Sequence, residues 1–275
     1  MMAMAAAGNG LVHAVFVAVG VVAGVALFAW ARRASGRTDD RLWVIAGTCL
    51  AFGAIGSRVG TWWQQFDPTA NESLAQWWMD GSRSVLAGLV GAWIGVYVGK
   101  FITGYRESTG DLFAPAVALA IGIGRIGCLM TELPGKPTGA GWGIVLTPAQ
   151  ANLLGGPADV GLHPTYLYEV LFQFAAVIVL LALRTRMRRP GDLFVLYVAA
   201  YAVFRFLVEF VRANEEVWLG LTRPQWFLLV VAPLLAWRIA RLGRPIPVPD
   251  PSTAPTTGGT DVRPTPRTAR GPRPS

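Results

Sequence analysis

Seven apolar segments, each about as long as a bilayer is thick, dominate this sequence. A hydrocarbon core about 30 Å thick is crossed by roughly 20 residues of apolar α-helix. Segments of about that length occupy residues 11–31, 42–60, 84–104, 111–131, 166–183, 193–211 and 224–242. Only 15% of the 275 residues are charged, whereas soluble domains average about 25%. The sequence therefore predicts an all-α, polytopic integral membrane protein with seven transmembrane helices.

Charged residues between the segments predict the orientation in the membrane. The basic clusters follow the first, third, fifth and seventh segments: Arg32, Arg33, Arg37 and Arg41; Lys100 and Arg106; Arg184, Arg186, Arg188 and Arg189; Arg241 and Arg244. Because basic loops remain in the cytoplasm, we expect the N-terminus outside and the C-terminus in the cytoplasm. The first segment has no basic stretch before it and is followed by arginines, so we expect a retained span rather than a cleaved signal peptide.

The end of the chain has a different composition. Residues 243–275 hold nine of the nineteen prolines and few large apolar residues, which predicts a disordered cytoplasmic tail beyond a catalytic domain at residues 1–242. The net charge of +8 is divided among loops and tail, so we expect no nucleic-acid partner. Cys49 and Cys128 each lie in an apolar segment, and their spacing predicts neither a disulfide nor a zinc site.

The long outer loops are predicted to lie near the chemistry, because long loops on one face often carry function. Residues 61–83 include Trp62, Trp63, Trp77 and Trp78, which favours an amphipathic segment at the headgroup level. Residues 132–165 are rich in glycine and proline, and we expect little regular structure there. Glycines spaced by four within the spans predict close helix packing: Gly20 and Gly24; Gly56 and Gly60; Gly91, Gly95 and Gly99.

Several charged residues lie inside predicted spans, where each arginine costs roughly 2.5–3.5 kcal/mol. Arg125 lies well inside its span and favours a functional role, whereas Arg58 is near a span end, where snorkelling explains it equally well. In the sixth segment, Tyr201, Arg205, Glu209 and Arg212 fall within about 80° of one helix face. This stripe is either a buried Arg–Glu ladder that fixes the helix or an arginine oriented toward an anionic headgroup.

The sequence contains two histidines and one glycine-rich pattern outside the charged stripe. His163 precedes the fifth segment and is not explained by helix initiation, whereas His13 near the outer end of the first segment is interpreted as interfacial. The stretch from Gly122 to Gly127 fits G-x-G-x-x-G, but no strand precedes it and no acidic residue follows about 20 residues on. A dinucleotide fold is therefore excluded.

Three motifs together resemble those of the bacterial prolipoprotein diacylglyceryl transferases. They are Gly124-Arg125-Ile126-Gly127, His163-Pro164-Thr165-x-Leu167-Tyr168-Glu169, and Tyr201-x-x-x-Arg205-Phe206-x-Val208-Glu209-Phe210-x-Arg212. Gly220-Leu221-Thr222-x-x-Gln225 and Gly56-Ser57-Arg58 resemble two further stretches of that family. The resemblance covers roughly residues 10–240 and includes the order and spacing of the motifs.

The resemblance implies a cofactor-free enzyme of the bacterial inner membrane. The family moves the diacylglyceryl group of phosphatidylglycerol onto the lipobox cysteine thiol of preprolipoproteins and releases glycerol phosphate. By resemblance, Arg125 and Arg205 hold the phosphate, Glu209 and Tyr201 orient Arg205, and Glu169 and Tyr168 brace the same cavity. The expected catalytic residues are Arg125, Arg205, Glu209 and His163, and the expected substrate-binding residues are Arg58, Tyr201, Tyr168, Glu169, Glu132 and Arg212.

The sequence departs from the family at two informative positions. Leu86 stands where the family has a functional histidine, and Cys128 replaces the asparagine that usually follows Gly-Arg-x-Gly. Another group, such as His163, Glu132 or Glu209, is then needed as the thiol base, or the partly ionised thiol reacts unaided. A divergent member that binds anionic phospholipid with another acceptor, or with no transferase activity, is the alternative. A transporter is disfavoured because we find no pair of related halves with interrupted helices.

Overall fold

The structure, a computed structural model, describes residues 2–65, 84–187 and 189–242. Within these ranges the helices are α1 (Met2–Ala34), α2 (Arg41–Gln65), α3 (Val85–Thr103), α4 (Gly110–Thr131), α5 (Pro148–Leu154), α6 (Thr165–Leu183), α7 (Asp192–Val208) and α8 (Arg223–Ile239), and a 3₁₀ turn, Glu209–Val211, extends α7. The short strands are β1 (Ile144–Val145), β2 (Gly161–Leu162), β3 (Glu216–Trp218) and β4 (Leu221–Thr222). The predicted tail, together with Trp77 and Trp78, lies outside the described residues.

Six of these helices are long and apolar enough to cross a membrane: α1, α2, α3, α4, α6 and α7 with its 3₁₀ extension. Most of their bounds agree with the predicted segments, but α1 begins at Met2, nine residues before the predicted start. Helix α2 continues to Gln65 because no glycine or proline interrupts residues 61–65. The seventh predicted segment forms α8, which has only 17 residues and is about 26 Å long. The structure thus supports a mostly helical, multi-pass membrane protein with six candidate spans among its described residues.

Small residues set the distances between the helices, as the glycine spacing predicts. Helix α1 packs against α4, α2 packs against α3, and α4 also contacts α6 and α7. A Cβ added at Gly20 would lie 2.6 Å from the Ala120 carbonyl oxygen, and one at Gly91 would lie 2.3 Å from that of Phe52. These helix backbones are therefore in direct contact. Helix α4 is the central one, since more than half of its apolar stretch is buried, a larger share than in any other candidate span.

A substitution at Gly91 tests this packing. We expect Gly91→Ala to lower the free energy of unfolding by about 1–3 kcal/mol, because the new methyl group overlaps the α2 backbone. The matched control is Gly47→Ala, where nothing lies within 4 Å of the added Cβ, and there alanine should stabilise the helix by up to about 1 kcal/mol. Denaturant unfolding in detergent micelles, followed by circular dichroism, measures both. Equal effects of the two substitutions would contradict the packing.

The outer loop after α4 is more regular than the sequence predicts. Strands β1 and β2 pair antiparallel, with Ile144 opposite Leu162. Between them, α5 begins with a capping box in which Thr147 and Gln150 satisfy each other's backbone groups. The expectation of little regular structure was wrong, because strands of two residues show no hydrophobic periodicity. A buried cluster of Leu146, Ala151 and Leu162 stabilises the loop instead.

Backbone hydrogen bonds attach this loop to the end of α7. The Lys136 amide donates to the Val211 carbonyl at 2.8 Å, and the His163 amide donates to the Lys136 carbonyl at 3.0 Å. Only glycine fits at position 135, since an added Cβ would lie 2.7 Å from the carbonyl oxygens of both His163 and Val211. The loop thereby brings the C-terminal end of α4, the N-terminal end of α6 and the C-terminal end of α7 together.

Candidate active site

Glu169 is the centre of a buried ionic cluster between α4, α6 and α7. Its side chain has no exposed surface, and Arg125 Nε lies 2.9 Å from its Oε1. That N–H is not aligned for a hydrogen bond, so the contact is ionic. The Tyr201 hydroxyl donates to the same oxygen at 2.5 Å, and Arg212 Nη1 lies 3.5 Å from Oε2. One carboxylate thus positions two arginines that come from different segments.

Glu209, in the 3₁₀ turn that extends α7, forms a second buried cluster. Arg205 Nη1 donates to Glu209 Oε2, as expected for a pair spaced by four on a helix. Asn214 Nδ2 donates to Oε1, and the Thr222 hydroxyl donates to that oxygen at 2.9 Å. Thr222 is itself held by a capping box with Gln225 at the start of α8. Arg205 is therefore fixed by contacts that extend from α7 to α8.

Tyr166 lies between the arginines, whereas Tyr168 was the tyrosine of this helix expected to brace the cavity. The guanidinium carbon of Arg212 lies 4.4 Å from the centre of the Tyr166 ring, and that of Arg125 lies 5.8 Å away, both within the range of cation–π attraction. The Tyr168 hydroxyl instead lies 3.2 Å from His163 Nδ1. Residues three apart share a helix face, whereas residues one apart do not, so Tyr166 faces the same way as Glu169 and Tyr168 does not.

Three further residues, His163, Arg58 and Tyr201, were also expected to contribute to the site. His163 packs edge-on against the Trp142 ring of the outer loop, with centroids 5.2 Å apart, and it also contacts Tyr168 in the first turn of α6. Arg58 is half-buried on α2, which packs against α3. Tyr201, expected to orient Arg205, donates to Glu169 instead. Leu86, at the position of the family histidine, packs against the apolar cluster that contains Tyr201.

Glu132 connects the site to residues that are far apart in the sequence. The Tyr166 hydroxyl donates to Glu132 Oε2, while Oε1 lies 3.7 Å from His13 Nδ1 on α1. The Cys128 sulfur lies 3.7 Å from the same nitrogen and 3.5 Å from Arg125 Nη1. Spacing along the chain could not reveal this group, because His13 and Cys128 lie on different helices that pack together.

The electrostatics of Glu132 follow from these contacts. Burial by itself would raise the pKa of this carboxyl group, but hydrogen bonds from Tyr166 and Cys128, together with the charge of Arg125, hold its pKa below the usual value. Glu132 is therefore a carboxylate at neutral pH. Beside it is a cavity of about 180 Å³, lined by residues that include Tyr166, Arg212 and Asn214. This volume equals that of about six liquid waters.

The arrangement is suited to binding an anion at the membrane surface. Arg125, Arg205 and Arg212 are each less than a tenth exposed. Two carboxylates, Glu169 and Glu209, are fully buried among them, and Glu132 adds a third negative charge at the cavity. A guanidinium in a site shielded from water interacts strongly with phosphate oxygens. Such donors, already in place, also stabilise negative charge that develops as a bond to phosphate breaks.

Comparison with known proteins agrees with this chemistry. The family model for prolipoprotein diacylglyceryl transferase matches residues 11–240. A phosphatidylglycerol–prolipoprotein diacylglyceryl transferase of Mycobacteroides abscessus is 32% identical over 90% of this chain and 77% of its own length. Enzymes of the same name from Rhodococcus jostii and Dehalococcoides mccartyi are 32% and 28% identical, over 86% and 81% of this chain and 71% and 85% of their own lengths. The chain therefore belongs to the prolipoprotein diacylglyceryl transferase family, and it is an enzyme that modifies lipoproteins.

Proposed function

We propose that this enzyme transfers the diacylglyceryl group of phosphatidylglycerol to the lipobox cysteine thiol of preprolipoproteins. The acceptor sulfur forms a bond to the terminal glyceryl carbon of the lipid, and the bond from that carbon to the phosphate oxygen breaks. The electron pair leaves on glycerol phosphate, and the acceptor thiol loses its proton to water. The names of the relatives support the donor and the acceptor.

The buried arginines are the observation that carries this proposal. Arg125 is proposed to bind the phosphate and to stabilise the charge that grows on the leaving oxygen. Arg205 is proposed to contribute from α7, where Glu209 fixes its guanidinium. Glu169, which accepts a hydrogen bond from Tyr201, positions Arg125. Arg212 and Glu132, which line the cavity, are proposed to contact the headgroup, with Arg58 contributing from α2.

The proposed environment is the bacterial inner membrane, crossed seven times with α8 as the last and shortest span. The basic clusters alternate along the chain and favour an external N-terminus and a cytoplasmic C-terminus. In that orientation the ends of α4, α6 and α7 that carry the site face outward, where precursors emerge from translocation. Residues 1–242 are proposed to form the catalytic domain, and residues 243–275 a cytoplasmic tail.

The activity is tested with purified protein in micelles. With phosphatidylglycerol and a synthetic lipobox peptide, we expect mass spectrometry to show a diacylglyceryl adduct on the peptide cysteine. A peptide with serine in place of the cysteine should give none, and phosphatidylethanolamine should not replace the donor. Binding of phosphatidylglycerol without an adduct, while a known transferase is active in parallel, would contradict the proposal. That result would favour the alternative of a relative with a different acceptor.

A further inference from the structure

A second cavity lies at the end of α4 opposite to the active site, where the loop after α1 meets the loop after α3. Its volume is about 500 Å³, and its walls include Arg37, Asp39, Arg41 and Tyr105. Sites for small ligands typically measure about 300–1,000 Å³. The residues that line it are all different from those proposed for the transfer. The cavity is therefore a separate site of a size that can hold a ligand.

Two basic side chains at this cavity, Arg37 and Lys100, have no carboxylate partner within the part of the chain that the structure describes. Arg37 Nη1 donates to the Ser108 carbonyl at 2.6 Å, and Lys100 Nζ donates to the neighbouring Glu107 carbonyl at 2.7 Å. A peptide carbonyl has no net charge, so neither cation is neutralised. The two groups are also close enough for their positive charges to repel each other. An anion placed between them would relieve this repulsion.

The carboxylates at the cavity already have partners. Asp39 Oδ2 lies 2.6 Å from Arg41 Nη2 and 2.9 Å from Arg41 Nε, so this pair is complete by itself. The Tyr105 hydroxyl donates to Glu107 Oε2 at 3.1 Å. The walls hold three arginines and two carboxylates, and Lys100 beside them adds a further positive charge. The cavity thus keeps an excess of positive charge.

An exposed apolar stripe on α3 leads to this cavity. Trp93, Tyr97 and Phe101 share one face of the helix, and Phe101 in the last turn is 89% exposed. Lys100 is spaced by three from Tyr97, so it borders the stripe. Aromatic and basic side chains at the end of a membrane helix mark the level of the phospholipid headgroups. A phospholipid with its acyl chains along the stripe would therefore place its phosphate beside Lys100.

We infer that this cavity binds the phosphate headgroup of an anionic phospholipid from the leaflet opposite to the active site. In the proposed orientation this is the cytoplasmic leaflet, where basic pockets between helices bind anionic headgroups. Arg37 and Lys100 supply charged donors for the phosphate oxygens. Gly110, where α4 begins, is about 22 Å along the helix from Arg125. The lipid bound here is therefore a stabilising ligand and is distinct from the lipid consumed in the proposed transfer.

The position of the cavity explains how such a lipid would stabilise the fold. Helix α1 packs against α4, and α2 packs against α3, so both loops at the cavity cross from one helix pair to the other. Direct contacts between the two crossings are few: Arg37 reaches the Ser108 carbonyl, and the Arg41 guanidinium lies 5.3 Å from the centre of the Tyr105 ring. A phosphate held by Arg37 and Lys100 adds a link between the pairs. A ligand that binds only the folded state stabilises that state.

Native mass spectrometry of the full-length protein tests the site by counting bound lipids. In micelles that contain dioleoyl phosphatidylglycerol, the double variant Arg37→Gln, Lys100→Gln should carry one lipid fewer than the wild type, with binding at this site weakened by about 10- to 30-fold. The matched control is Arg33→Gln, Arg186→Gln, which removes the same charge from exposed positions outside the cavity and should keep the lipid. Phosphatidylcholine should not fill the site. The count is independent of transfer, so a protein without transferase activity would leave this inference intact.

Thermal unfolding separates a lost ligand from a lost fold, and a lipid from free phosphate. Phosphatidylglycerol should raise the Tm of the control by about 5 °C more than that of the glutamine variant, whereas inorganic phosphate, which has no acyl chains, should raise neither. The exchange Arg37→Lys, Lys100→Arg keeps both charges and should keep the lipid and its effect on Tm. Equal lipid counts in the glutamine variant and the control would overturn the inference. Stabilisation by inorganic phosphate equal to that by the lipid would also overturn it.

Discussion

Replacing Arg125 by alanine should lower the kcat/KM of diacylglyceryl transfer by about two to three orders of magnitude, the usual cost of removing one donor that stabilises developing charge. Arg125 contacts both Glu169 and Cys128, which hold its guanidinium inside the buried site. Arg125→Lys should recover only part of the rate, because lysine lacks the planar fork that binds two phosphate oxygens. The adduct assay in micelles provides the measurement.

The matched control for this prediction is Arg106→Ala. Arg106 is exposed in the basic loop after α3, so its replacement should leave transfer unchanged. Circular dichroism of Arg125→Ala should still show the helical content of the wild type. If Arg125→Ala transfers lipid as fast as Arg106→Ala does, Arg125 does not bind the phosphate.

Glu169→Gln should lower the free energy of unfolding by about 3–5 kcal/mol, the usual effect of removing one partner from a buried ion pair. Glu169 is fully buried between Arg125 and Arg212, and an amide leaves both guanidinium groups without their compensating charge. Unfolding in micelles with denaturant, monitored by circular dichroism, gives this quantity. We also expect transfer to fall, because Arg125 loses the group that orients it.

The comparison for Glu169→Gln is Glu216→Gln. Glu216 pairs with Lys136 at 2.7 Å, but both side chains are at least 40% exposed, and exposed pairs contribute about 0–1 kcal/mol. The two substitutions make the same chemical change in different surroundings. Similar losses of stability from both would show that the Glu169 cluster is not shielded from solvent.

The sequence predicted most of the helices because bilayer thickness imposes a length that apolar segments must match. The bounds of α3, Val85–Thr103, and α4, Gly110–Thr131, lie within one residue of the predicted segments. The last segment was harder to assign, since α8 has 17 residues and an internal proline, Pro233. The loop after α4 was predicted poorly, because two-residue strands and a seven-residue helix carry too little pattern.

The charged residues of the site could also be predicted from the sequence. A charged side chain inside a membrane is energetically costly, so it usually has a function. Arg125, Arg205 and Glu209 were found in this way, and the stripe that joins Arg205 to Glu209 is a contact in the structure. The role of Tyr166 was missed, although it is spaced by three from Glu169. That spacing placed it on the same helix face as the carboxylate.

What the sequence by itself determined is the set of helices and the residues that carry charge into them, because helix length and the cost of burying charge depend on local composition. Which charges meet was decided only by the tertiary structure. Glu169 pairs with Arg125 and Arg212, and His13 reaches Cys128, across helices that are far apart in the chain. Such contacts depend on how α1, α4, α6 and α7 pack, and small residues such as Gly20 set that distance by direct backbone contact.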